Sequence, residues 1–195
     1  MTMKKILLAS GVAMSIAGGA YAATTNIDAL ANFVAAVTLA NEVDMDFSSV
    51  AFSAAPTIAG DNVQLGTDDS ITYNGVFSVG IAAVPVAGEV EITAGSVGAT
   101  VDVECDATAT LGDGFGNTID VTSIETTMTP GASGTGTACA GIGVTAISHV
   151  LAGGGADVIY FGGQIDGSTV GGVFGAGAYS SATGGNDIQV DVNYQ

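Results

Sequence analysis

The chain has 195 residues, enough for one domain with a buried core, and sets 19 acidic side chains against two basic ones for a net charge of −17. Both basic residues, Lys4 and Lys5, lie at the start, so from Ala23 onward no Lys or Arg is present. This leaves no cationic surface to meet nucleic acid or an anionic membrane, and restricts partners to neutral, cationic or metal-bridged ones.

In chain order, Lys4 and Lys5 precede an apolar run, Ile6 to Ile16, and the small-x-small triplet Ala20-Tyr21-Ala22. This is the pattern of a secretory signal peptide over residues 1–22, with the mature protein, a single domain, spanning 23–195. The apolar run is shorter than the ~20 residues that cross a bilayer, and no later segment is long and apolar enough, so the mature chain is expected to be exported without a membrane span. Ile27, Ala29, Ala31, Phe33, Ala35, Val37 and Leu39 occupy every odd position of the next stretch. That alternation predicts a strand, although Ile27, Leu30, Phe33, Val34 and Val37 also fit a helical stripe. Val43, Met45 and Phe47 alternate with acids, and Pro56, Gly60 and Asp61-Asn62 mark a loop. Ile71 and Tyr73, then Phe77, Val79 and Ile81, flank Asn74-Gly75 as in a hairpin.

The clearest pattern runs from Gly98 to Leu111. Val101, Val103, Cys105, Ala107, Ala109 and Leu111 share one face and Asp102, Glu104, Asp106, Thr108 and Thr110 the other, which predicts one strand between core and water. Strands are further expected around Ile119 to Ile124, Ile142 to Ala146 and Val158 to Phe161. Gly162 to Gly177 reads as a glycine-rich connection, and Ile188, Val190, Val192 and Tyr194 form the inward face of a closing strand. About ten short strands with turn residues between them, and no long amphipathic helix, predict an all-β antiparallel sandwich.

Little catalytic chemistry is present. The one histidine, His149, sits beside Ser148 without a G-x-S-x-G elbow, and no catalytic residue or enzymatic activity is expected. Cys105 and Cys139, in an exported chain, predict a disulfide. Ala152 to Tyr160 matches the calcium nonapeptide G-G-x-G-x-D-x-U-x except at Ala152, which makes Asp157 the one metal candidate and calcium the one conceivable cofactor. Carboxylates crowded without basic partners are expected to repel one another and to titrate above their ordinary values.

At the end of the chain, Gly177-Ala178-Tyr179-Ser180 and Gly184 to Gln195, together with Val43-Asp44-Met45-Asp46-Phe47, resemble a family of secreted bacterial proteins catalogued only as a domain of unknown function. That resemblance implies an Ig-like/pilin-like or adhesin-like sandwich with no established activity. The alternating last strand with its penultimate Tyr194 is also similar to that of chaperone-usher pilus subunits, although the cysteines here lie mid-chain. This likeness implies a periplasmic chaperone as partner. The combined expectation is a non-enzymatic structural subunit of an extracellular filament or surface layer, a homopolymer joined by strand addition. Its assembly residues would be Ile27, Phe33, Val37 and Leu39 on an N-terminal arm and Ile188, Val190, Val192 and Tyr194 on the closing strand. The alternative is a monomeric secreted module that binds a cell surface or carbohydrate, with calcium as a possible requirement.

Overall fold

The computed structural model describes residues 35–153, 157–184 and 186–195. The expected signal peptide, Ile27 and Phe33 lie outside these residues. The described chain is all-β and antiparallel throughout, with thirteen strands. They are β1 (Thr38–Val43), β2 (Val50–Phe52), β3 (Asn62–Leu65), β4 (Ile71–Tyr73), β5 (Phe77–Val79), β6 (Gly88–Ala94), β7 (Thr100–Cys105), β8 (Ala109–Gly112), β9 (Thr118–Thr127), β10 (Thr137–Ala138), β11 (Thr145–Val150), β12 (Asp157–Gly171) and β13 (Val190–Tyr194). One helical turn, α1 (Ser181–Gly184), precedes β13.

An eight-stranded sheet is organised on β12, a three-stranded sheet has the order β11-β7-β13, and β2 pairs with β5. Val101, Val103 and Cys105 of the small sheet and Ile92, Ile124 and Ile159 of the large one are buried in a common core. The sandwich is therefore closed by side chains from two layers, as the alternation in β7 requires.

Five sequence expectations are corrected. Gly98 to Leu111 is not one strand: β7 ends at Cys105 and β8 begins at Ala109 in the other sheet. Asp106 makes the break, donating its N–H to the Gln189 carbonyl (3.1 Å) and accepting the Gln189 N–H at its carboxylate (3.0 Å). The Asn74-Gly75 turn does not join a hairpin, because β4 pairs with β3 while β5 crosses to β2. Strand β5 stops at Val79, leaving Ile81 92% exposed. Ile142 and Val144, expected to open a strand, lie in the turn before β11 and are exposed.

The largest correction concerns the expected glycine-rich connection Gly162 to Gly177, whose first ten residues belong to β12. This strand pairs with β6 and then β3 along one edge and with β9 along the other. Gly162 and Gly167 are required there. A Cβ would stand 2.6 Å from the Leu65 carbonyl oxygen at the first and 2.5 Å from that of Asp61 at the second, so only glycine admits the neighbouring backbone.

Candidate functional site

The core is incomplete on one side. A cavity of about 1010 Å³ opens between the large sheet and the segments that flank it. Its floor is the inward face of Leu111, Val121, Phe161 and Ile165. One side is formed by the end of β1 and the residues after it, where Phe47 is buried and Met45 packs on the core as their alternation predicts while Val43 is exposed; the other holds Ile188 and Val190. An aromatic cluster closes the bottom. The Phe174 ring meets Phe52 edge-on at 5.0 Å and stacks with Tyr179 at 5.4 Å, arrangements that favour aromatic pairs over simple contact.

The cavity is flanked by two open sheet edges. Among the described residues β1 pairs only with β6, and β13 only with β7. Each presents backbone N–H and C=O groups on its outer side, the arrangement that accepts a further strand. Glu42, Asp44, Asp46, Glu89 and Asp187 also line the cavity, giving an apolar interior with an acidic rim.

The residues expected to drive assembly divide into two groups. Val190, Val192 and Tyr194 face inward on β13, paired with Cys105, Val103 and Val101, and Ile188 packs beside them. Leu39 lies in β1, paired with Ile92 of the same chain, and Val37 packs on the core. Residues 38 and 39 thus belong to the chain's own sheet rather than to a separate arm. Tyr194 has a further role. Its hydroxyl accepts the Ser96 N–H (2.7 Å) and donates to the Ala35 carbonyl (2.6 Å), while Ser96 Oγ accepts the Ala35 N–H (2.7 Å).

Cys105 and Cys139 are joined by a disulfide, with Cα atoms 5.2 Å apart. Cys139 also donates its N–H to the Ile124 carbonyl (2.8 Å), so the bridge ties the small sheet to β9 of the large one.

The acidic residues prove to be mostly anchors for loops. Asp157 is almost fully buried, with 3% of its side chain exposed, and its oxygens accept the N–H groups of Ala152 and Gly153 (2.9–3.1 Å). His149 Nε2 lies 2.7 Å from Asp157 Oδ1. The candidate calcium ligand is thus surrounded by hydrogen-bond donors. Burial opposes its charge, yet His149 and the two backbone N–H groups together hold the carboxyl below its ordinary value. Glu125, also buried, binds the N–H groups of Gly134 and Gly136, and Asp61 those of Thr57 and Val76. In a chain without Lys or Arg beyond residue 5, backbone amides replace the usual salt bridges.

The expected upward titration is not seen in the carboxylates whose shift is resolved. Ser70 lowers Asp68, Ser148 and then Gln195 lower Asp102, and Asn117 and Phe115 lower Asp113. Local donors set these directions: Asp68 and Asp113 sit in turns that point N–H and O–H groups at them, and Asp102, in β7, faces the Ser148 hydroxyl of β11 and the Gln195 amide.

Among the described residues no three His, Cys, Asp or Glu side chains group as a metal site, and no helix is long and apolar enough to cross a membrane. The cavity itself was not read from sequence, since its walls come from segments as distant as Phe52, Leu111 and Phe174. Comparison with protein-family models, curated proteins and solved structures gave no match.

Proposed function

We propose that the protein is a non-enzymatic structural subunit of an extracellular filament or surface layer, and that subunits join by adding a β-strand at the cavity. The observation that carries this reading is an apolar groove bordered by β1 and β13, whose outer edges are unpaired among the described residues. A strand placed there would find backbone partners at the flanking edges and apolar surface for alternate side chains, the two ingredients of strand addition. Burying the groove's exposed apolar area would stabilise the joint at roughly 25 cal/mol per Å². The secretory signal pattern and the disulfide support an extracellular location, and a periplasmic chaperone would serve to cover the groove before assembly.

Electron microscopy of natively purified material, with light scattering across a concentration series, tests the reading. Filaments or ordered arrays are expected. Protein that stays monomeric at every concentration, with residues 23–39 protected from proteolysis, would overturn it in favour of a monomeric binding module.

A further inference from the structure

Carboxylates are spread unevenly over the open strand edges. Between Glu125 and Asp157 the chain has no acidic residue, although it has 19 in all. Strand β11 lies within that interval. Among the described residues it pairs only with β7, so one edge of its six residues is open. Strands β1 and β13 also have open edges there, and both are charged: β1 contains Glu42 and lies against Glu89 and Glu91, and β13 contains Asp191 opposite Glu104.

An open edge is ready to pair with another strand, and proteins usually guard it with charge, proline, a bulge or short length. The sequence Thr-Ala-Ile-Ser-His-Val of β11 has no proline and no Lys, Arg, Asp or Glu. Its ladder with β7 is irregular only between Thr145 and Ile147, and the run from Ile147 to Val150 is regular. Ser148 and Val150 are exposed on the outer face, where the Ser148 hydroxyl donates to Asp102 of the neighbouring strand. His149 alternates with them and meets Asp157, which is buried and also holds the N–H groups of Ala152 and Gly153.

Net charge decides which copy-to-copy contact is tolerated. Two chains with 19 acids each and no Lys or Arg after residue 5 repel one another, so contact is favoured where carboxylates stay apart. In an antiparallel pair of two β11 strands, the outer-face acids Asp102 and Glu104 of one β7 lie three strand spacings from those of the other, about 14 Å. That is beyond the Debye length of about 8 Å at physiological ionic strength. Pairing β13 with its copy would instead put two Asp191 residues on adjacent strands, with the Glu104 residues close behind.

We infer that the open edge of β11 is a self-pairing surface, on which two copies align antiparallel about a two-fold axis. The small sheets would then join as one, in the order β13-β7-β11-β11-β7-β13. The contact is isologous, the same patch serving both copies, and it lies apart from the groove between β1 and β13. A six-residue edge buries less than the roughly 1,000 Å² of a stable interface, so the pair is weak between free monomers and strengthens where many such contacts act together. The pairing does not require strand addition. Its consequence rests on that reading: filaments built through the groove would be joined side by side into bundles or a layer.

Cysteine trapping in the full-length exported protein tests the inference. A continuous outer face requires Ser148 and Val150 of one copy to lie opposite outer-face residues of the other. Directly opposed positions have Cα atoms about 4.5–5.5 Å apart, within the span of a disulfide, whereas diagonal neighbours do not. Ser148→Cys alone, Val150→Cys alone and an equimolar mixture of the two cover the axis positions at Ser148, Val150 and His149 in turn. One of the three preparations should give a cross-linked dimer under mild oxidation. Asn193→Cys, on the open edge of β13, should not. Adding Asp at whichever of residues 148 and 150 does not carry the trapped cysteine, or at Thr145 for the mixture, should lower the trapped fraction about tenfold. In electron micrographs Val150→Asp filaments should run singly where the unaltered ones associate.

No trapping above that of Asn193→Cys in any preparation would overturn the β11 pairing, and filaments seen in the same material would leave strand addition standing. Cross-linking of Ser148→Cys to Asn193→Cys in a mixture would replace the two-fold pair by a contact between β11 and β13. Trapping indifferent to the added Asp would mark random collision and overturn the inference. Should the unaltered protein form no filaments, the strand-addition reading falls, while the trapped dimer still decides this one.

Discussion

The half of the core around β7 and the half around β1 and β8 use similar residues and are closed by different means. Around β7 the side chains of Val101, Val103 and Cys105 have no exposed surface, two neighbouring strands complete the sheet, and the disulfide crosses to the opposite layer. Around β1 and β8 a comparable set of valine, leucine and phenylalanine side chains faces a cavity of about 1010 Å³, and Val43 is 40% exposed. This apolar lining inside an acidic rim is the feature on which the strand-addition proposal rests. One half is finished by the chain's own folding; the other, among the described residues, keeps an apolar cavity.

Breaking the closed half should have the largest effect. Replacing Cys105 and Cys139 together with alanine releases a 34-residue separation between the bridged positions and should cost roughly 3–4 kcal/mol by the chain-entropy estimate. Urea titration of the monomeric form measures it. A loss under about 1 kcal/mol would mean that hydrogen bonds such as Cys139 N–H to Ile124 already hold the two layers together without the bridge.

The closed half was also the more legible in sequence. Alternation in β7 and β13 identified Val101, Val103, Cys105, Val190 and Val192 as inward, since each of those strands has one wet face and one dry face. It failed where that condition fails. Strand β12 is paired along both edges and crossed closely by other backbones, so glycine stands where alternating side chains would have signalled a strand. The break at Asp106 left no mark on the alternation, because Ala107 and Ala109 keep the same period through the corner. The groove depends on segments far apart in the chain. What the sequence did show of it was Val43, Met45 and Phe47 on one side and Ile188 and Val190 on the other, without any sign that these two sides face one cavity.

A second, smaller effect should come from the loop that joins the two sheets. Asp157 anchors Ala152, Gly153 and His149 between β11 and β12. Asp157→Asn keeps the shape and removes the charge, and should cost about 2 kcal/mol at pH 7, the range for hydrogen bonds to a charged group. The pH dependence follows from the lowered titration of Asp157, Asp68, Asp102 and Asp113. A carboxylate held below its unfolded value contributes stability that is fully present above that value, near 4, and is lost as pH falls through the folded one. Stability should therefore decline on acidification below about pH 4, and Asp157→Asn should flatten part of that decline. Denaturant melts of both proteins at pH 7 and pH 3 decide the sign. Stability that rose steadily on acidification would return the argument to mutual repulsion among carboxylates.

The smallest effect is expected in the open half, and it discriminates best between the two regions. Val43→Ala removes two methyl groups from a side chain that is 40% exposed in the single chain. Its cost to the isolated monomer should stay within about 0.5 kcal/mol, as for surface positions in general. If a strand fills the groove, the same side chain is buried in the assembled state and its methyl groups count toward the joint at about 0.8 kcal/mol for each carbon fully buried. The concentration for half-assembly should then rise several-fold although the monomer's melting curve hardly moves. Sedimentation across a dilution series, set beside thermal melting of the monomer, separates the two quantities. An equal and small change in both would make Val43 an ordinary surface valine and leave the open half without an occupant; a change confined to assembly would place the missing part of this core in another molecule.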